Sequence, residues 1–249
     1  MSVQDLSGTT AVVTGASRGF GRGIATALVH AGAQVVAVAR DGVALEELRG
    51  KLGEAIIPVV ADAADPALAG QLIDQYVPHT LVLNAGASPL MRPIQSHTWE
   101  TFSRNWEMDA RQVFNWVREA LLGPLAPGST VVSMSSGAAV GGSPLSGGYA
   151  PAKAAVRFIS AYAAGESARQ GLGIRFVSVL PKLTPATSLG EAGVAAYAAQ
   201  QGVDVATFLR ALGPALTPER VGEELTALAA DLGMDGLAYL LTADGLDKL

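Results

Sequence analysis

Short runs of apolar, β-branched residues alternate along this chain with longer segments that have helical periodicity. Strands buried on both faces are near-continuous apolar runs, so this alternation predicts a parallel sheet covered by helices on both faces. The sequence therefore predicts an α/β fold, a doubly wound sheet in a single domain over residues 1–249. The predicted strands are residues 9–14, 34–39, 56–61, 80–83, 130–134 and 174–180. The predicted helices are residues 20–31, 43–51, 99–122 and 151–170.

Composition argues against several classes of site and partner. The chain has no cysteine, which rules out disulfides and thiolate chemistry. Its three histidines, His30, His79 and His97, lie far apart, so we expect no metal site. A net charge of −5 disfavours nucleic-acid and anionic-membrane partners. No apolar run approaches the roughly 18 residues of a membrane span. The first residues lack the basic region of a secretory signal, so we expect a cytoplasmic protein.

The segment 183–214 interrupts the alternation, and we name it the lid segment. It follows the sixth predicted strand and contains two Ala-rich stretches, residues 189–201 and 205–212, compatible with short helices. Because ligands bind beyond the carboxyl ends of the strands in such sheets, we interpret the segment as a substrate lid. A plain surface insertion is the alternative.

The first predicted strand is followed by a turn with the sequence TGASRGFG at residues 14–21, named here the glycine turn. Gly15, Gly19 and Gly21 permit a sharp turn that exposes backbone N–H groups at a helix N-terminus, where a pyrophosphate can approach closely. Many strand–helix turns contain glycine, but the βαβ unit that follows favours a dinucleotide site.

Further motifs follow in a recognisable order. Asn84-Ala85-Gly86 comes after the fourth predicted strand and Ser136 after the fifth; Tyr149 lies 13 residues beyond Ser136, and Lys153 four residues further. Together with the glycine turn, they resemble the motifs of the short-chain dehydrogenase/reductase family over about residues 6–181. The resemblance implies a Rossmann-type fold and an oxidoreductase that acts on CH–OH or C=O groups with a nicotinamide cofactor. It implies cofactor-binding roles for Gly15, Ser17, Arg18, Gly19, Phe20, Gly21, Arg40, Asp62, Asn84, Ala85, Gly86, Tyr149, Lys153 and Pro181.

The end of the second predicted strand indicates which nucleotide is bound. NAD sites usually carry an acidic side chain there, whereas this chain has Ala39 followed by Arg40. Arg40, together with Arg18 in the glycine turn, would attract a 2′-phosphate, so NADP(H) is predicted over NAD(H). An ion pair between Arg40 and Asp41 would weaken this argument. Asp62 resembles the family's adenine-contacting acid, and a helix cap is its alternative role.

Three side chains suit carbonyl reduction. A tyrosine hydroxyl can donate the proton, but its free pKa of about 10 is too high for good transfer unless a neighbouring ammonium lowers it. Tyr149 and Lys153 are spaced one helical turn apart, on one face. We assign Tyr149 as general acid/base, Lys153 as its electrostatic partner and a ligand of the cofactor ribose, and Ser136 as substrate positioner. The adjacent Ser135 does not fit the 13-residue interval.

Three positions depart from the family pattern. Asp109 stands where the family usually has a catalytic asparagine, and Asn105 is nearby but out of register. We expect the Asp109 carboxylate to hold the catalytic lysine protonated; an ordinary helical aspartate is the alternative. Lys182 replaces the glycine that usually follows Pro181, and Phe20 replaces an Ile or Leu in the glycine turn.

The resulting prediction is an NADPH-dependent carbonyl reductase or secondary alcohol dehydrogenase with a small ketone or alcohol as substrate. Candidate pocket walls at residues 87–92, 137–148 and 183–214 are mostly Ala, Gly, Leu and Ser, which favours a neutral substrate. The alternatives are a weak or inactive NADP(H)-binding sensor or scaffold on the same fold, and a different Rossmann enzyme such as a methyltransferase.

The resemblance also implies a homotetramer or homodimer built partly on helices 99–122 and 151–170. The small residues of the second helix would either meet a partner or face the sheet; they are Ala154, Ala155, Ala161, Ala163 and Ala164.

Overall fold

The strands form one twisted sheet in the computed structural model, which describes residues 5–123 and 125–249. They are β1 (Thr10–Thr14), β2 (Gln34–Ala39), β3 (Ile56–Val60), β4 (Thr80–Leu83), β5 (Thr130–Met134), β6 (Arg175–Pro181), β7 (Ala238–Thr242) and β8 (Gly245–Lys248). Their order in the sheet is β3-β2-β1-β4-β5-β6-β7-β8, in which β1 to β7 are parallel and β8 is antiparallel to β7. The predicted doubly wound fold is confirmed.

Helices connect the parallel strands. They are α1 (Gly19–His30), α2 (Gly42–Leu52), α3 (Leu68–Tyr76), α4 (Trp99–Asn105), α5 (Arg111–Leu122), α6 (Ala138–Gly141), α7 (Tyr149–Gln170), α8 (Ser188–Gln201), α9 (Val205–Leu212) and α10 (Pro218–Ala230). Short 3-10 turns occupy Gly53–Ala55 and Ile94–Ser96. In the part of the chain that the structure describes, no helix combines the length and apolar character that a membrane crossing requires.

The single helix predicted over residues 99–122 is wrong in one respect. A π-helical segment, Trp106–Ala110, separates α4 from α5, and we name it the π segment. A π turn adds a residue to the helical repeat, and such turns are frequent at functional sites. Here the segment buries Asp109 and Ala110. The sequence pattern also missed α3, α6, α10 and the last two strands.

Alternate residues along the strands serve two separate cores. On one side, Val13 packs with Ile24 and Leu28 of α1 and with Leu225 of α10. On the other side, neighbouring strand residues pack with Val113 and Trp116 of α5, Val156 of α7 and Leu72 of α3; among them is Val12. The fully buried Trp116 ring also donates through Nε1 to the Ala63 carbonyl at 3.0 Å, so its one polar atom is paired.

Helices α1 and α10 cross backbone to backbone. A Cβ atom added at Gly23 would lie 2.2 Å from the Pro218 carbonyl oxygen, and one added at Gly222 would lie 2.5 Å from the Gly23 carbonyl oxygen. Only glycine fits at such a crossing. Helix α10, which follows the lid segment, is therefore packed directly against the helix that follows the glycine turn.

Candidate active site

The residues singled out from the sequence lie along the carboxyl edge of the sheet. Strands β1, β4, β5 and β6 end side by side at this edge, and the chain order reverses between β1 and β4. A reversal of this kind leaves a crevice at the strand ends, which is where ligands bind in open α/β sheets.

The glycine turn forms a cradle for an anion at the start of α1. Gly15 has a φ of +68°, and a Cβ atom added there would lie 2.9 Å from the Ala85 Cα; one added at Gly21 would lie 2.1 Å from the Gly15 carbonyl oxygen. Arg18 directly precedes α1, and within the residues that the structure describes its side chain makes no hydrogen bond to the first turn of this helix. That first turn also carries no acidic residue. The first N–H groups of α1 thus remain available, and the turn fits the pyrophosphate of a dinucleotide.

Thr14 and Asn84 fasten the glycine turn to the end of β4. The Thr14 hydroxyl accepts from the backbone N–H groups of Asn84 at 2.9 Å and Ala85 at 3.1 Å. In return, the Asn84 side-chain amide donates to the Thr14 carbonyl at 3.1 Å. Asn84 and Ala85 therefore shape the nucleotide crevice through the backbone. Thr14 is the first residue of the TGASRGFG motif, but this contact with the end of β4 was not predicted from the sequence.

Two arginines were predicted to bind a 2′-phosphate, Arg18 in the glycine turn and Arg40 directly after β2. Arg18 and Arg40 are exposed, and within residues 5–123 and 125–249 neither takes part in an ion pair. The alternative pairing of Arg40 with Asp41 is wrong, because Asp41 instead caps α2 by accepting from the Ala44 N–H at 3.1 Å. Both cations are therefore available to a phosphate.

Asp62 stands in the loop after β3. Its carboxylate accepts from the Ala64 N–H at 3.0 Å and its side chain is exposed. The alternative role as a helix cap is wrong, because α3 begins only at Leu68. Asn115 of α5 donates to the Ala64 carbonyl at 3.1 Å, so the loop that carries Asp62 is held against α5.

Tyr149, Lys153 and Ser136 converge at the ends of β5 and α7. Tyr149 is the first residue of α7 and is half-buried, and the Lys153 Nζ atom lies 5.6 Å from the centre of its ring. Ser136 follows β5 and is partly exposed, with its hydroxyl accepting from the Ala138 N–H at 3.2 Å. The neighbouring Ser135 is buried and donates to the Lys153 carbonyl at 2.7 Å, which is a structural role.

Lys153 lies at the base of this group in a buried polar cluster, the lysine site, formed with Asp109, Asn105, Tyr149 and the Met134 carbonyl. Its Nζ atom donates to the Met134 carbonyl at 3.0 Å and lies 3.4 Å from an Asp109 carboxylate oxygen. The Lys153 side chain is 7% exposed and that of Asp109 is fully buried. Burial alone would lower the pKa of Lys153, but the charges of Asp109 and Tyr149 outweigh it, so the pKa of Lys153 is raised.

Asn105 belongs to the lysine site although the sequence placed it out of register. Its side-chain amide donates to the Ala87 carbonyl at 2.8 Å. The same amide lies 3.5 Å from Asp109 Oδ2, the carboxylate oxygen that is also close to Lys153. The other Asp109 oxygen accepts from the Ala87 N–H at 2.7 Å. The π segment produces this arrangement, and the spacing of apolar residues did not reveal it.

The remaining predicted cofactor residues lie around the same crevice. Pro181 ends β6 and its carbonyl accepts from the Gly137 N–H at 2.9 Å, while the Lys182 N–H donates to the Leu241 carbonyl at 2.9 Å. The Lys182 side chain is exposed. Phe20, half-buried, packs against the core that contains α1. Ser17 and Gly19 are partly exposed, and Gly86 is exposed.

The lid segment folds back over this edge of the sheet. Thr184 donates to the Leu216 carbonyl at 2.8 Å and so joins the two ends of the segment. The Tyr197 hydroxyl of α8 is hydrogen-bonded to the Ser143 hydroxyl, in the stretch that precedes Tyr149. Every residue of α9 is at least partly exposed. A cleft of about 450 Å³ opens nearby between Ile94, Phe102 and the stretches 141–144 and 150–151, but Ser136, Tyr149 and Lys153 do not line it.

Comparison with known proteins agrees with this geometry. The family model described as short chain dehydrogenase matches residues 9–207. The human L-xylulose reductase is 35% identical over 134 residues, which are 53% of this chain and 54% of that protein. The pig carbonyl reductase [NADPH] 2 is 35% identical over 135 residues, again 53% and 54% of the two chains. The matched part thus spans about half the length of these curated relatives.

Among solved structures, one neighbour is a protein from Beutenbergia cavernae provisionally named an NAD(P)-dependent gluconate 5-dehydrogenase, with NADP bound at low occupancy. It superposes with a TM-score of 0.78 at 26% identity, covering 95% of this chain and 96% of the other.

Proposed function

The chain belongs to the short chain dehydrogenase family, and on that premise we propose that it is an NADPH-dependent oxidoreductase that interconverts a ketone and a secondary alcohol. The observation that carries this proposal is the convergence of Tyr149, Lys153 and Ser136 at the carboxyl edge of the sheet, beside the glycine turn. A reduction needs an acid, a group that orients the carbonyl and a nearby cofactor, and all three positions adjoin one crevice.

The chain's own residues divide the chemistry among them. A bound nicotinamide supplies the hydride that reduces the carbonyl carbon. The Tyr149 hydroxyl donates the proton to the carbonyl oxygen, and the Ser136 hydroxyl donates a hydrogen bond to the same oxygen. The Lys153 ammonium keeps a positive charge beside the Tyr149 ring while it donates to the Met134 carbonyl and pairs with the Asp109 carboxylate. The same ammonium would also hold the ribose of a bound cofactor.

NADPH is the proposed cofactor in preference to NADH. Arg18 and Arg40 offer two unpaired cations to a 2′-phosphate, and Ala39 provides no carboxylate that would repel it. The name of the pig relative and the NADP bound to the Beutenbergia cavernae protein support the same choice.

We propose a homotetramer as the assembled form. Phe114 of α5 and Phe158 and Tyr162 of α7 are 53%, 58% and 72% exposed, and a subunit interface on these two helices would cover them. Of the five alanines considered above, Ala163 is buried in the core and Ala164 packs against it, so these two face the sheet. A cytoplasmic location stays a prediction from the sequence.

The proposal is tested by titrating the protein with NADPH and NADH and then following NADPH absorbance with a panel of ketones that includes ketoses and apolar ketones. Turnover should fall by about a thousandfold in Tyr149→Phe, within the range that general acid catalysis contributes, while NADPH binding is retained. Tyr76→Phe is the matched control, because Tyr76 lies on α3 and packs only against the core on the α5 side.

Three results would redirect the proposal. Tight NADPH binding without turnover on any ketone would favour the sensor or scaffold function. Turnover that survives unchanged in Tyr149→Phe would remove Tyr149 from the catalytic role. A tighter fit for NADH would show that Arg18 and Arg40 do not contact a phosphate.

A further inference from the structure

Two side chains four residues apart hold one peptide group beside the catalytic lysine. Asp109 accepts from the N–H of Ala87 at 2.7 Å, and Asn105 donates to the carbonyl of Ala87 at 2.8 Å. Ala87 directly follows the Asn84-Ala85-Gly86 turn. All three residues are buried, so neither Ala87 group has water as an alternative partner.

The two roles cannot be exchanged between the side chains. A carboxylate has no proton to donate to the Ala87 carbonyl, so Asn105 supplies the donor. An amide at position 109 would have to turn one face toward the Ala87 N–H and the other toward Lys153 and the Asn105 amide, which are also donors. One of these contacts would then set donor against donor.

Asp109 is also the negative group nearest the Lys153 ammonium. The groups that face this ammonium are the Asp109 carboxylate of the π segment, the Tyr149 phenol of its own helix and the Met134 carbonyl of β5. Glu107 and Arg111 lie on the outer side of the same helix, where they pair with each other at the surface at 3.7 Å. The ammonium therefore shares its charge between a phenol and a carboxylate.

We infer that Asp109 and Asn105 act as a positioning pair that fixes the loop after β4 and sets the pH range in which Tyr149 and Lys153 work. The inference rests on the proposed function and deepens it. Asp109 partly neutralises the ammonium that acts on the phenol, so the enzyme works at higher pH than it would with a neutral side chain at this position. Asp109 and Asn105 act through Lys153 and Ala87 rather than on the substrate.

The pH profile of kcat for alcohol oxidation tests the charge of Asp109. In Asp109→Asn, the unopposed ammonium favours the phenolate, and the buried ammonium loses its carboxylate. Both limbs of the profile should therefore move to lower pH, by about one unit. Glu107→Gln removes a surface carboxylate from the same π segment and should leave the profile in place. A loss of rate in Asp109→Asn with unmoved limbs would overturn the inference.

Asn105→Ala tests the second half of the pair. It leaves the buried Ala87 carbonyl without its donor but changes no charge, so Tm should fall by about 2–6 °C while the pH profile stays unmoved. An unchanged Tm, or a profile displaced as in Asp109→Asn, would contradict the division of roles.

A measurement that needs no turnover separates this inference from the proposed function. Asp109→Asn should lower Tm in the wild-type background, but it should raise Tm when Lys153 has been replaced by Met, because it then removes an uncompensated buried charge. Changes in Tm of equal sign and size in the wild-type and Lys153→Met proteins would show that Asp109 and Lys153 are not coupled, whether or not any ketone is reduced.

Discussion

The glycine turn and the lysine site lie at the same edge of the sheet but are built in opposite ways. The glycine turn consists of one contiguous stretch whose backbone geometry provides the binding groups, and its arginine, Arg18, reaches solvent. The lysine site gathers the Met134 carbonyl of β5 with side chains from α4, α7 and the π segment, and its charges are buried. The first is therefore a surface prepared for an external anion, whereas the second is a network whose members satisfy one another. The two should respond differently to substitution.

The largest expected effect is on stability, at the lysine site. Lys153→Met leaves the buried Asp109 carboxylate without its cation and should lower the free energy of unfolding by about 3–5 kcal/mol. Urea denaturation measures this, with Lys51→Met on the exposed surface of α2 as control. A loss below about 1 kcal/mol, typical of surface ion pairs, would mean that the cluster is solvated and that the contrast between the two regions is false.

The contribution of the Lys153–Asp109 pair to the free energy of unfolding depends on pH in a definite direction. The pKa of Lys153 is raised above its ordinary value of 10.5 in the folded state, so the folded protein holds this proton more tightly than the unfolded chain. The contribution of the pair is complete below about pH 10.5 and is lost as the pH rises through the folded-state pKa. The stability difference between wild type and Lys153→Met should therefore narrow as the pH rises above about 10.5.

A smaller effect, on binding rather than folding, is expected at the glycine turn. Gly21→Ala places a methyl group where only 2.1 Å separates it from the Gly15 carbonyl oxygen, so the turn must open. NADPH affinity should fall by about a hundredfold, or about 2.8 kcal/mol, measured by fluorescence titration. Gly50→Ala, at a position on α2 with open space around it, is the control. Undiminished affinity would show that the pyrophosphate does not lie in this turn.

The smallest effect is expected at Arg18 and Arg40, which in our proposal contact only the 2′-phosphate of NADPH. Arg40→Ala should reduce the preference for NADPH over NADH by about tenfold without changing Tm. Lys51→Ala removes a nearby exposed charge and should leave the preference unchanged. If Arg40→Ala weakened the binding of NADPH and of NADH equally, Arg40 would act as a general cation and would not recognise the 2′-phosphate.

The contrast between the regions also explains what the sequence could reveal. The strands and the glycine turn follow from local patterns, because apolar runs and glycines determine their own backbone geometry. Asp109 was identified by its position in the family pattern, but its partners were not, since Asn105 and Ala87 meet it only through the π segment. The periodicity of residues 99–122 is compatible with an unbroken helix, and nothing local signals the additional residue in its turn.

Two further side chains show the same limit. Gln112 donates to the Ala85 carbonyl at 3.0 Å, and Tyr197 reaches Ser143 from the lid segment. Both are contacts between elements distant in sequence, made by residue types that are equally common on exposed surfaces. Strands β7 and β8 were missed for a related reason, because their stability comes from pairing across the sheet, β7 with β6 and β8 with β7, and their short apolar runs do not indicate it.

The glycine crossing of α1 and α10 anchors the chain directly after the lid segment. At Gly23 and Gly222 the two helices touch through their main chains, so α10 can neither slide nor rotate without separating from α1. The hydrogen bond from Thr184 to the Leu216 carbonyl ties the start of the lid segment to the chain just past its end, before this anchor. If the segment acts as a lid, we therefore expect α8 and α9 to move as a hinge between two fixed ends, while α10 stays in place.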